Sequence, residues 1–181
     1  MAAGLAKQFR LQSLIGGFDR SVFGAFDRFD TLSASALASI HVNGLPRGKA
    51  FAGHMSYSTL SNLAPDVQIM TALREPRSRL LSLWMYCRGR TDDQLEGWGA
   101  WQDVVTLSHG SLSEFLNRDE TACLTDNIAV RMLLWPHPLI PQGLPIEERY
   151  DSLLVSEASE RLKGMAFYDV IENPAFVSNL G

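Results

Sequence analysis

Five arginines, Arg74, Arg77, Arg79, Arg88 and Arg90, fall within seventeen residues of a chain that carries thirteen arginines against three lysines. A guanidinium presents a planar fork of N–H donors that matches the paired oxygens of phosphate and sulfate. The cluster opens at the end of "VQIMTAL", a continuous apolar run of the kind that forms strands buried on both faces of a parallel sheet. Pro76 follows where the first turn of a helix tolerates proline, and "RSRLLSLWMYC" continues the helix until Gly89. In open α/β sheets, ligands bind outside the carboxyl ends of strands, where helix N-termini favour anions. Arg74 stands at such an end, Ser82 lies about two turns into the helix, and Arg79 precedes Ser82 by one turn on the same face. Guanidinium, hydroxyl and helix N-terminus together make an anion site. The alternative, which spacing leaves open, is a solvated helix start whose arginines pair with Glu75 or Asp92.

A second candidate is His54, at the end of a short strand-like run and ahead of a Ser/Tyr/Thr segment suited to starting a helix. An imidazole titrates near neutrality and so serves as a general base; the alternative is a structural histidine. His41, His109 and His137 lie in loop-like contexts with no partner pattern. Asn127 and Arg131 sit at i, i+4 spacing in a helical segment, where both can face one cleft. They suit either a polar or anionic acceptor or an internal hydrogen bond that ties the helix to the sheet.

These residues need elements to hold them. Residues 1–15 read as an amphipathic helix without a visible N-cap, 16–30 as a loop or helical turn, and 31–40 as helix or strand approach. Residues 89–112, rich in Gly, Asp, Thr and Trp, read as a surface excursion. Short helices follow at 111–119, with Ser111 or Ser113 as cap, and at 126–135, closed by a proline-rich stretch. A last helix, starting at Ser156 or Ser159, leads into a strand over 165–172. At 181 residues, 46% hydrophobic and 20% charged, the chain has the size and composition of one globular domain. Its net charge of -4 argues against a protein that coats nucleic acid. Cys87 and Cys123 lack metal-ligand or disulfide-framework spacing and read as buried thiols, so no metal is expected. No membrane span or signal peptide is visible in the sequence, and the expected location is cytoplasmic.

"TALREPRSRLLSLWMYCR" resembles the stretch that carries the 3′-phosphate-binding residues of sulfotransferases, which use 3′-phosphoadenosine 5′-phosphosulfate (PAPS) and resemble nucleotide kinases in fold. The family pattern, Arg-acid-Pro-x-x-Arg-x-x-Ser before an aromatic-rich helix, is met by Arg74, Glu75, Pro76, Arg79 and Ser82, then Trp84 and Tyr86. "FAGHMSYSTL" is similar to the Gly-His-x-x-Tyr segment of the heparan-modifying carbohydrate O-sulfotransferases, "SLSEFL" with "DNIAVRMLL" to a later helix, and "ASERLKGMAFYDVIE" to the final helix and strand. The likeness covers about 51–172. It implies an α/β fold, a P-loop-kinase-like three-layer sandwich with a central parallel sheet, here partial. It also implies 3′-phosphate contacts from Arg74 and Ser82 with Arg79 beside them, His54 as base, and a hydroxyl-bearing acceptor, carbohydrate or other small molecule, near Asn127 and Arg131.

One family element has no counterpart in the sequence, the Lys-Thr-Gly-Gly-Thr-like loop that cradles the 5′-phosphosulfate. "MAAGLAKQF" resembles the helix that follows that loop, and "ENPAFVSNLG" stops where the family continues. The resemblance therefore implies a truncated domain, weak in binding 3′-phosphoadenosine 5′-phosphate (PAP) and inactive alone. The alternatives are a non-catalytic remnant that binds a nucleotide or glycan, and an unrelated α/β interaction protein with surface arginines.

Overall fold

The apolar run before the arginines contains a strand, Met70–Leu73, but its residues alternate between exposed and half-buried instead of being buried on both faces, and its described partner comes from the far end of the sequence. The computed structural model of the chain describes residues 13–18, 49–63 and 68–179. Strands β1 (Ser13–Phe18) and β2 (Lys49–His54) pair in parallel, with Phe18 opposite His54. Strands β3 (Met70–Leu73) and β4 (Phe167–Val170) form a second parallel pair, with Leu73 opposite Val170. The ladder continues past both ends of β4, through Ala166 N–H to Ile69 and Ile171 N–H to Leu73. The architecture is mixed helix and strand with parallel pairing.

Helix α1 (Tyr57–Leu63) follows β2, and α2 (Pro76–Arg88) follows β3. Next come α3 (Asp92–Leu95), α4 (Ala100–Thr106), α5 (Leu112–Leu116), α6 (Ala122–Thr125) and α7 (Ile128–Leu134). Helix α8 (Asp151–Lys163) leads into β4, and α9 (Phe176–Asn179) follows it. No helix among the described residues is long and apolar enough to cross a membrane.

Three expectations need correction. Residues 13–18 are strand, so the reading of 1–15 as a helix fails at its end and the reading of 16–30 as a loop fails at its start. Despite the glycine pair, the segment is held as a strand by pairing with its neighbour, a tertiary contact that local helical spacing does not report. The remainder of 1–40 lies outside the described residues.

The second correction concerns 89–112, which supplies the main core instead of a surface excursion. Leu95, Trp98, Trp101 and Val105 are buried together with Cys87, Cys123 and Leu124, and Leu83 packs against them. Their near-helical spacing is interrupted by Gly97 and Gly99, both at positive φ, where a side chain is strained. The glycines turn the chain between α3 and α4, so two short helices direct apolar side chains into one cluster. Each large side chain buried there contributes about 1.5–3 kcal/mol.

The third correction is the start of α8, at Asp151. Ser156 and Ser159 are interior, and Ser159 Oγ donates back to the Val155 carbonyl at 2.7 Å. Leu154 and Ala158 sink into a second cluster with Leu133, Leu134, Ile140 and Ile146, which joins α8 to α7. Asp151 in the first turn and Arg161 and Lys163 in the last complement the helix dipole. Ser111 caps α5 as expected: its hydroxyl accepts from Glu114 N–H while the Glu114 carboxylate accepts from Ser111 N–H.

Candidate functional site

The junction from β3 to α2 is built by two carboxylates. Glu75 is the N-cap of α2, and its side chain accepts from the backbone N–H of Arg77 at 3.1 Å and of Ser78 at 2.7 Å. Those hydrogen bonds hold its carboxyl below the ordinary carboxylate range. Pro76 at the first helical position has no N–H to satisfy. The helix N-terminus expected to face an external anion is therefore filled from within the chain, and Glu75 caps the helix instead of pairing with an arginine.

Arg74 finds its partner across the sheet. Its Nε donates to Glu172 Oε1 at 3.2 Å, and the Glu75 backbone N–H donates to Glu172 Oε2 at 3.0 Å. The parallel register delivers Glu172 there: Leu73 faces Val170, Ile171 N–H still reaches the Leu73 carbonyl, and Glu172 is the next residue. A turn closed by Asn173 N–H to the Val170 carbonyl, and by the Asn173 amide on Asp169, holds Glu172 after β4. The Glu75 N–H is the main reason that the Glu172 carboxyl lies below its ordinary range. Both side chains stay about two-fifths exposed, 41% for Arg74 and 38% for Glu172, and no described residue accepts from the two Nη groups of Arg74. Reading the motif missed Glu172, because an acid beyond the last strand has no meaning until that strand is known to lie beside β3.

Further along α2, Arg79 turns inward and donates from Nη1 to the Leu124 carbonyl at 3.0 Å, tying α2 to α6. Ser82 is partly buried, and its hydroxyl makes no hydrogen bond to a described residue. His54 ends β2 as expected, and the next two residues, Met55 and Ser56, are buried. Ser56 Oγ accepts from Thr59 N–H at 3.2 Å at the start of α1, and the Ser58 hydroxyl donates to the Trp135 carbonyl. These contacts fix the chain that carries His54. The imidazole keeps surface exposed, yet crowding by the surrounding chain first, and the nearby Arg79 guanidinium second, hold its pKa below the ordinary 6.5. His54 and Arg79, from two separate strand–helix units, lie close enough for the guanidinium charge to act on the imidazole.

Asn127 and Arg131 do not share a cleft. Asn127 is exposed, sits at φ 47 as the N-cap of α7, and donates from Nδ2 to Asp126 Oδ1 at 3.2 Å. Arg131 is 2% exposed. Its Nε donates to the Asp126 carbonyl and its Nη1 to the Pro141 carbonyl, both at 2.8 Å. Its Nη2 donates to Asp126 Oδ2 at 2.8 Å and to the Leu144 carbonyl at 2.6 Å. Four of the five N–H groups of a guanidinium are committed, so an acceptor-binding role is set aside. The internal tie is what forms, and it fastens α7 to the proline-rich loop instead of to the sheet. His137 is likewise structural: Nε2 meets Glu157 Oε2 at 3.1 Å, and Nδ1 accepts from Leu139 N–H at 3.2 Å.

Both cysteines are buried, and desolvation pushes the Cys87 thiol up to about 11 and raises Cys123 as well, which makes them poor nucleophiles. Among the described residues, no three His, Cys, Asp or Glu side chains cluster as metal ligands. No protein-family model, curated protein or solved structure matches the chain.

Proposed function

We propose that this chain is a sulfotransferase-type domain, built on a P-loop-kinase-like three-layer sandwich, of the class that moves a sulfuryl group from PAPS to a hydroxyl of a carbohydrate or other small acceptor, and that without a 5′-phosphosulfate loop the chain alone does not turn over. The observation that carries the reading is the donor set at the end of β3, where Arg74 Nε and the Glu75 N–H together hold an oxyanion, with His54 at the tip of β2 close enough to Arg79 on the following helix to feel its charge. Sulfuryl transfer needs a base beside a cationic anion site, and the depressed pKa of His54 keeps it neutral, the form that accepts a proton. His54 takes the acceptor's hydroxyl proton as that oxygen bonds to sulfur. The bond from sulfur to the 5′-phosphate oxygen breaks, and its electron pair leaves on that oxygen in PAP.

The donor set at the end of β3 fits the 3′-phosphate. Arg74 Nε and the Glu75 N–H already hold one oxyanion, the Glu172 carboxylate, and the Nη groups of Arg74 and the Ser82 hydroxyl supply further donors. A second reading, a non-catalytic nucleotide- or glycan-binding module of the same fold, draws on the inward commitment of Arg79 and of the α2 N-terminus. Titration with PAP followed by NMR tests the site. Binding in the millimolar range that weakens by roughly 1.5–3 kcal/mol in Arg74→Ala supports it, and affinity unchanged by that substitution sinks it. A labelled-sulfuryl assay over carbohydrate acceptors, run on the chain with a Lys-Thr-Gly-Gly-Thr-like segment joined ahead of it, separates the two readings: transfer lost in His54→Asn marks the enzyme, and PAP binding without transfer marks the binding module.

A further inference from the structure

Resting on the reading of Arg74 as a 3′-phosphate ligand, we propose that Glu172 is an internal competitor for that site, a carboxylate that an incoming phosphate must displace. The carboxylate takes one donor from the Arg74 side chain and one from the Glu75 backbone, in the two-oxygen manner in which a phosphate is held. Its position is set by the fold, because the β3–β4 register and the Asp169–Asn173 turn deliver it. It is also releasable. Arg74 and Glu172 are both substantially exposed, and such pairs hold weakly against solvent and competing ions. Arg74 thus has a carboxylate partner before ligand arrives, and a ligand without a 3′-phosphate gains nothing by opening the pair. Glu172 sets affinity and selectivity by what it withholds.

The test compares the full chain with Glu172→Gln, Glu172→Ala and Arg74→Ala, titrated with PAP and with 5′-AMP, which differs only in lacking the 3′-phosphate. Removing the competitor is expected to tighten PAP binding roughly 3- to 10-fold, as loss of an exposed ion pair and of its repulsion toward phosphate allows, with 5′-AMP unchanged. A second readout follows the Glu172 carboxyl carbon by NMR in carboxyl-labelled protein: PAP should move its resonance, and 5′-AMP should not. PAP binding that depends on Arg74 but is equal in wild type and both Glu172 variants overturns the competitor while the 3′-phosphate reading stands. Equal tightening toward PAP and 5′-AMP also overturns it, as a general charge effect. Failure of every protein to bind PAP removes both proposals. Binding seen only in the Glu172 variants supports both.

Discussion

Arg74 and Arg131 are the same side chain, each paired with a carboxylate, and the fold uses them in opposite ways. Arg131 is buried, donates to four acceptors, and shares Asp126 with the Ile146 N–H, which reaches Asp126 Oδ2 at 2.6 Å. Arg74 spends one N–H on Glu172 and keeps the rest toward solvent. A buried guanidinium without partners is too costly to persist, so its partners are architectural. An exposed one trades protein for water or ligand at little cost, so its partner is exchangeable. Burial, more than charge, separates the structural arginine from the candidate ligand.

The contrast can be broken at several points. Arg131→Met should cost about 3–5 kcal/mol in a urea denaturation, because it strands Asp126 and two loop carbonyls. The double variant with Asp126→Asn should recover part of that loss, and a single substitution with no cost would erase the distinction. Arg74→Ala should do the reverse, leaving the denaturation midpoint nearly in place while PAP affinity drops by the 1.5–3 kcal/mol given above, about 10- to 100-fold. Glu75→Ala should lower the thermal midpoint by a few degrees through loss of the α2 cap, and Glu75→Asp should restore most of it.

The smallest effect is one of pH. The folded pKa of His54 lies below its unfolded value of about 6.5, so the unfolded chain binds more protons between the two. The stability that His54 contributes is complete above the unfolded value and is lost as pH falls through the folded one. Glu75 and Glu172, held below 4.5, stay ionised in that interval. Wild type should therefore lose more stability than His54→Gln as pH falls below about 6.5; parallel denaturation curves for the two proteins would show that the imidazole is not perturbed.

Much of the scaffold was legible in local pattern. "VQIMTAL" led to β3, Pro76 and Gly89 bracketed α2, Ser111 capped α5, and β2 ended at His54. These signals are local: continuous hydrophobicity, a fixed proline φ, a hydroxyl cap. The segment 89–112 misled because glycine and aspartate suggest exposure, while its tryptophans and Leu95 needed a partner surface on α2 and α6 to reveal themselves as core. Residues 13–18 misled for the same reason, since strand pairing with β2 lies outside any window of sequence.

The sequence by itself determined which residue types stand at the strand ends and helix starts: Arg74 after β3, His54 at the end of β2, and Glu75 and Pro76 opening α2. Backbone preference and capping chemistry act over a few residues, so composition and spacing encode them. Only the tertiary structure decided what those side chains meet. The parallel register set Glu172 against Arg74, packing turned Arg79 toward Leu124, and burial closed Arg131 on Asp126. Partners distant in sequence are chosen by how strands and helices stack, and that depends on the whole chain burying its apolar surface at once.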